Sequence, residues 1–325
     1  SGSTASVGYV GWSTAGGYGP FSSLYGPGVD QIVGATLIDA RGNLIEADDE
    51  LLKAIRGAGC IFGVIVALTI KVYPLNEMLV GTLIFESSDM QAAWEALTSG
   101  IASLGDTPPA LKLQLFVMEF PGLGKVLAAI ATWVSDDHAQ GRKLIDAVAT
   151  FGKCIVNATE AKTTAQYAQD NEKLVTYGVH GRSYTLNLRR WTPTAVRILA
   201  KYSATVPGGN AMISIHSLRT RHATALVPSV FGAREDHHMV EIVSMTADPA
   251  LQETASAWGQ GLLNELKEHE DHANILDSAY LSLLDHGDVH LQKVYGRHLD
   301  TIRTLKNKYD PQNVFKHAAP RLADL

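Results

Sequence analysis

The chain has 325 residues, enough at roughly 150 residues per domain for two domains and for a core that needs no disulfide or metal support. Hydrophobic residues make up 46% and charged residues 18%, which excludes a disordered chain. With 27 basic and 33 acidic side chains the net charge is −6, which argues against nucleic-acid binding as the main task.

Ser1 to Tyr25 is rich in Gly, Ser and Thr without a sustained period, and reads as extended backbone and turns. Ile32 to Asp39 and Leu44 to Ala47 flank Ala40-Arg41-Gly42-Asn43, a strand, turn and strand. Asp48-Asp49-Glu50 supplies the cap and first-turn acids of a short helix over Leu51 to Ile55, which Arg56-Gly57-Ala58-Gly59 breaks. Phe62 to Val72, rich in β-branched residues, predicts a buried strand closed by Pro74.

Beyond this lobe, Val80 to Phe85 reads as a strand and Met90 to Leu104 as an amphipathic helix. Leu111 to Phe120 and Val126 to Val134 form a strand pair around Pro121-Gly122-Leu123-Gly124, followed by a helix over Ala139 to Phe151. Ala211 to Leu218 and Met239 to Thr246 alternate as strands with one wet face. Pro249 to His269 places Trp258, Leu262, Leu263 and Leu266 on one helical stripe. Leu299, Ile302, Leu305 and Tyr309 mark a last helix; Asp310-Pro311 stops it, and Asn313-Val314-Phe315 is expected to plug into a core. Strands mixed with helices and antiparallel hairpins predict an α+β fold.

Cys60 and Cys154 provide neither a disulfide framework nor a four-thiolate zinc site, and read as two separately buried thiols, with one bridge between them as the alternative. The longest apolar run, Cys60 to Ile70, is too short to span a bilayer, so neither membrane nor nucleic acid is an expected partner. Asn157-Ala158-Thr159 is a glycosylation sequon, usable if the protein is secreted; secreted and cytoplasmic locations both stay open. His269-Glu270-Asp271-His272 and His286-x-Asp288-x-His290 invite a metal reading, but they lie among charged residues that read as a wet face, and no metal is expected. Gly11-Trp12-Ser13-Thr14-Ala15 lacks the strand, turn and helix of a nucleophile elbow.

The string Val7-Gly8-x-x-Gly11-Trp12-x-x-x-Gly16-Gly17-x-Gly19-Pro20 is followed in order by Tyr25-Gly26-Pro27-Gly28-Val29-Asp30, Asp39-Ala40-Arg41-Gly42, Leu51 to Gly59 and Phe62-Gly63-Val64. Near the other end stand Tyr295-Gly296-x-His298-Leu299 and Lys308-Tyr309-Asp310-Pro311-x-Asn313-Val314-Phe315. Together these resemble the second half of the PCMH-type FAD-binding domain, and the C-terminal segment, of berberine-bridge-enzyme-like flavoproteins of the vanillyl-alcohol-oxidase superfamily. The resemblance implies a second FAD lobe over residues 1–75 and an α+β substrate domain over 76–285, its mainly antiparallel sheet covered by helices. A C-terminal segment over 286–325 would return to the FAD domain. It also implies that the chain lacks the preceding FAD lobe, so that one apolar surface has no partner within the chain and an N-terminal fragment of the same protein is its expected partner.

FAD is the implied cofactor. Gly8, Gly11, Gly16, Gly17 and Gly19 fall on the loop that lies along pyrophosphate and flavin in the family, which suits a ligand approached by bare backbone N–H groups. Gly59, Gly63 and Val64 fall on the turn and strand start near the adenine end. Thr4 stands where the bicovalent members carry their flavin-linking Cys, Leu283 where the second Tyr of the family's Tyr-x-Asn-Tyr strand stands, and His298 in place of an Asn.

For the chemistry, Glu241 lies on a strand resembling the one where the family places an acid/base residue; it reads either as that base or as a solvated outer-face carboxylate. His216 reads as a strand histidine, and Tyr280 as a donor to a substrate oxygen or a packed aromatic. Glu241 and His238, three residues apart, should face opposite sides of their strand. The implied activity is an FAD-dependent oxidase of secondary metabolism that takes a hydride from a small-molecule substrate, with O2 as acceptor. A non-redox isomerase or cyclase on the same scaffold, and a non-catalytic fragment of a larger flavoprotein, stand as alternatives.

Overall fold

A computed structural model of the chain describes residues 1–120, 122–219 and 227–321. Two units emerge: Ser1–Pro74, Arg219–Glu235 and Asp277–Leu325 form the first, Leu75–Leu218 and Asp236–Leu276 the second.

In the first unit the opening segment is not the extended stretch its composition suggests. Residues Tyr9–Thr14 form a short helix, α1, and Ser22–Tyr25 form α2. Thr14 Oγ1 donates to the Val10 carbonyl at 2.7 Å and Trp12 Nε1 to the Tyr18 carbonyl at 2.9 Å, which closes the turn after α1. Strands β1 (Ile32–Ile38) and β2 (Leu44–Glu46) then form the expected hairpin, whose turn is braced by Asp39 accepting from the backbone N–H groups of Arg41 and Asn43.

Helix α3 (Asp49–Ala58) starts under the Asp48 carboxylate, which accepts from Leu51 N. It kinks at Arg56 and at Gly57, whose φ of 130° and whose close approach to the Phe231 backbone exclude any side chain. Strand β3 (Val64–Ile70) completes a sheet in the order β2-β1-β3. It is shorter than expected and is not buried: Val64 is 55% and Val66 51% exposed. Apolar, β-branched composition identified the strand, but nothing in the sequence fixes whether a second layer covers it. Ile38, which pairs with both Leu44 and Val64, makes with them an exposed apolar row across the sheet.

The second unit holds an antiparallel sheet of eight strands. In chain order come β4 (Met78–Phe85), α4 (Met90–Ser103), β5 (Leu111–Phe120), β6 (Gly124–Trp133), α5 (His138–Ala149), β7 (Cys154–Lys162) and α6 (Thr164–Glu172). They are followed by β8 (His180–Leu188), α7 (Pro193–Ala204), β9 (Met212–Leu218), β10 (His237–Thr246), α8 (Gln252–His269) and β11 (Ile275–Leu276). The spatial order is β11-β8-β10-β9-β5-β6-β4-β7. Pro121 of the β5–β6 turn lies outside the described residues.

Side chains alternate across this sheet. Leu113, Leu115, Val117, Ile213, Ile215, Val240 and Ile242 point to one face, where Trp94, Leu97, Ile145, Val148, Ile198, Leu199, Trp258, Leu262 and Leu266 of four helices complete the core. Trp94 Nε1 donates to Ser203 Oγ at 2.9 Å and fastens α4 to α7. The opposite face carries Lys112, Gln114, Ser214, His216 and Glu241.

The chain re-enters the first unit through α9 (Leu291–Tyr295) and α10 (Leu299–Tyr309). Leu299, Ile302 and Leu305 pack with Ile32, Leu37, Leu51, Ile55 and Phe62 in that unit's core. The segment after α10 does not plug in as expected: Val314 is 50% exposed. Asp310 anchors it instead, accepting from the backbone N–H groups of Val314 and Phe315 at 2.8 and 3.0 Å while Lys306 Nζ donates to its Oδ2 at 2.6 Å. Neither cysteine is buried: Cys60 is exposed and Cys154 half-buried, and both are free thiols. Among the described residues, no helix is long and apolar enough to cross a membrane.

Candidate functional site

On the face of the second unit's sheet turned away from its helices, β10, β9 and β5 lie side by side. Register sets Glu241 opposite Ser214 and sets Gln114 opposite His216. The four side chains meet. His216 Nε2 lies 3.1 Å from Glu241 Oε2, 3.1 Å from Ser214 Oγ and 3.4 Å from the Gln114 carboxamide, and Gln114 Nε2 donates to Ser214 Oγ at 3.0 Å.

A carboxylate only accepts, so the Glu241 contact requires a proton on His216 Nε2. The ring's other nitrogen, Nδ1, then presents a lone pair, and it has no hydrogen bond among the described residues. Both side chains keep partial access to solvent, 18% for His216 and 16% for Glu241. His238 lies on the other face, as strand alternation requires, and stacks on Trp191 with ring centroids 4.4 Å apart.

One pleat along β5 from Gln114 stands Lys112, 6% exposed, and burial lowers its ammonium pKa to about 8. Its partner across the β5–β6 pair is Thr132, 3% exposed, whose hydroxyl finds no hydrogen-bond partner among the described residues.

In the first unit, the glycines of the opening loop divide by environment. Added Cβ atoms would strike Phe231 and Tyr280 at Gly16, Gly28 at Gly17, Ser1 at Gly19, Thr14 at Gly59 and Leu37 at Gly63. Packing alone demands glycine at these five positions. Gly8 and Gly11 differ: both are exposed, and a Cβ on either meets nothing within 4 Å. With Val7 and Val10, 43% and 41% exposed, they form an apolar ridge of bare backbone. Val64 stands exposed at the head of β3.

Tyr280, 5% exposed, packs tilted against Tyr18 with ring centroids 4.7 Å apart, and its hydroxyl accepts from Gly17 N at 3.3 Å. Burial, then the Tyr280 phenol, raise the pKa of Tyr18. Arg234 holds this corner together: its guanidinium makes a bidentate pair with the buried Asp30 carboxylate at 2.7 and 2.9 Å and donates to Ser229 Oγ at 2.6 Å. Glu241 and His216 therefore meet in the second unit, and Tyr280 lies with Gly16 and Gly17 in the first. Among the described residues no three His, Cys, Asp or Glu side chains are grouped to hold a metal ion, and the His286 side chain lies outside them.

No protein-family model matches the chain. The FAD-linked oxidoreductase aurO of Gibberella zeae is 28% identical over 311 residues, covering 93% of this chain and 60% of that protein. The 6-hydroxy-D-nicotine oxidase structure from Arthrobacter nicotinovorans superposes with a TM-score of 0.79 at 20% identity, covering 98% of this chain and 72% of that one. A variant of BBE-like 1 from Physcomitrella patens superposes with a TM-score of 0.78 at 17% identity, covering 97% and 70%.

The chain is thus similar to FAD-linked oxidoreductases along nearly its whole length, and its fold is that of berberine-bridge-enzyme-like proteins. It spans 60% of the length of aurO. Motif reading singled out Glu241 and His216 but missed Gln114, Ser214, Lys112 and Thr132. None of the four belongs to a motif. Only the non-consecutive strand order β10-β9-β5-β6 brings them to one place.

Proposed function

We propose that the whole protein is an FAD-dependent oxidase that takes a hydride from a small-molecule substrate, with O2 as acceptor. The observation that carries the chemistry is the His216–Glu241 pair on the sheet face turned away from the helices. Similarity to an FAD-linked oxidoreductase over 93% of the chain supports the cofactor.

In this reading Gly8 and Gly11 would hold the FAD, because their backbone is exposed, uncrowded and free of side chains. FAD supplies the hydride acceptor when bound. His216 takes the substrate proton at Nδ1, and the imidazolium so formed is stabilised by the Glu241 carboxylate at Nε2. Ser214 Oγ, itself accepting from Gln114 Nε2, contacts the same Nε2 edge of the ring, so the ring is held from the side opposite Nδ1. Glu241, considered from sequence as the base, is here a positioning residue.

The test is to add FAD to the purified chain, remove free cofactor and record the visible spectrum, then screen alcohols, amines and phenols for peroxide release. Retained flavin absorbance and substrate-dependent peroxide are expected. Absence of flavin from the whole protein, prepared in the same way, overturns the cofactor assignment. Turnover without peroxide or loss of flavin absorbance points to the non-redox alternative.

A further inference from the structure

Strand register lays an apolar strip beside the His216 cluster, on the same face of the sheet. Phe116 stands opposite Ser214 of β9 and opposite Ala128 of β6, and Ile130 stands opposite Gln114. Met118 and Met212 follow one same-face step along β5 and β9. All five side chains turn away from the core that the sheet makes with its helices, and each is half-buried, so solvent reaches it. A contiguous apolar patch within reach of solvent and rimmed by polar groups is the mark of a binding surface. The rim here includes the His216–Glu241 pair. Phe116 is the diagonal neighbour of His216 across β5 and β9, a spacing of about 7–8 Å that aromatic and long side chains bridge. Other rim groups have little to give a ligand: Gln114 Nε2 donates to Ser214 Oγ, which in turn meets His216 Nε2. A polyol settling here would exchange water for few hydrogen-bond partners. A flat π-system would meet an aromatic ring, a branched chain and two polarisable thioethers.

We propose that Phe116, Met118, Ile130 and Met212 are specificity-determining residues that select an apolar aromatic substrate, which lies flat on this strip and turns one O–H toward His216 Nδ1. This deepens the oxidase reading and rests on it only for the reaction; recognition of the aromatic face requires no flavin. A sugar is discriminated against, because its hydroxyls lose water and find the neighbouring polar groups bonded to one another.

The test titrates the purified 325-residue chain with 2-naphthol, followed by its fluorescence, and with cellobiose, followed by calorimetry. Saturable 2-naphthol binding with a Kd below about 1 mM is expected, and no binding of cellobiose at the same concentrations. Phe116→Ala and Met212→Ala should each weaken 2-naphthol binding roughly three- to tenfold. Leu44→Ser, which alters an exposed apolar side chain on the first unit's sheet, should leave it unchanged. 2-Methoxynaphthalene, which has no O–H, should bind several-fold more weakly than 2-naphthol, and His216→Leu should erase that difference. Unchanged affinity in both strip variants, an equal loss in Leu44→Ser, or cellobiose binding as tight as that of 2-naphthol overturns the proposal. Equal binding of the methoxy compound overturns the orientation toward His216. If Phe116→Ala does not fold by far-UV circular dichroism, Met212→Ala decides. Binding is read without added flavin, so the two readings fail separately. Strip-dependent binding with no flavin in the whole protein sinks the FAD reading alone; retained flavin with no aromatic binding sinks this proposal alone.

Discussion

Across β9 and β10, His216 Nε2 and Glu241 Oε2 are 3.1 Å apart, and the bond fixes which imidazole nitrogen is left to act. A base acting through Nδ1 is lost when the ring is replaced, whereas loss of the carboxylate leaves a base that is present but poorly held. His216→Gln should slow substrate-dependent flavin reduction by roughly 10²- to 10⁴-fold. Glu241→Gln should slow it by about tenfold with KM little changed, and the double variant should be no slower than His216→Gln alone. Stopped-flow reduction without oxygen measures all three, and retained flavin absorbance controls for folding. A Glu241→Gln variant slower than His216→Gln would make the carboxylate the base.

The opening glycines offer a second separation, between packing and ligand. Gly16 has a φ of 132° and no room beside the rings of Phe231 and Tyr280. Gly16→Ala should therefore destabilise the first unit by roughly 1–3 kcal/mol, seen as a lower urea midpoint. Gly8 has a φ of −65° and open space around it, and Gly11 sits inside α1 with the same freedom. Alanine at Gly11, inside the helix, should leave the midpoint unchanged or slightly raised, and alanine at Gly8, the N-cap, should lower it by no more than a few tenths of a kcal/mol. FAD affinity, measured by equilibrium dialysis, should nonetheless fall. Unchanged affinity in both variants would remove Gly8 and Gly11 from the flavin site.

How much of this was legible beforehand follows from where the physics is local. The β5–β6 hairpin and α8 have strong periods, and Asp48 marks the start of α3, so these elements were readable. The stretch through β7, α6, β8 and α7 was not: β7 is a sheet edge with half-wet side chains on both faces, and β8 carries Arg182, Ser183 and Asn187 along its length. Burial of β3 was misjudged because composition reports that a strand is apolar, not what lies over it. In the site, His216 and Glu241 stand out as polar residues on apolar strands. Gln114 and Ser214 become partners only through register across strands distant in sequence.

The Asp30–Arg234 pair carries the next prediction. Asp30 is 1% exposed, and both of its oxygens are taken by one guanidinium. Arg234→Met should strand a buried carboxylate and cost roughly 3–5 kcal/mol, far more than an exposed pair would. Asp30→Asn/Arg234→Met, which removes both charges, should recover most of that loss in thermal denaturation. If the double variant is no more stable than Arg234→Met alone, the pair is not coupled as the geometry implies.

Lys112 yields a prediction independent of any ligand. Its folded pKa is about 8 against an ordinary 10.5, with burial as the cause. Between those values the unfolded chain binds the proton and the folded chain releases it, so the unfolded state carries more protons and stability rises with pH. Below pH 8 both states are protonated and the burial cost is borne in full; above 10.5 neither is, and the cost is gone. The rise attributable to this one side chain is roughly 3 kcal/mol across the window. Lys112→Met keeps the length and apolar stem of the side chain while removing the charge. Urea denaturation of both proteins from pH 7.5 to 10.5 should therefore show the variant more stable at the low end, with the difference closing as pH climbs. A constant difference over that range would mean that Lys112 holds its charge throughout, and would place its ammonium in water rather than in the sheet.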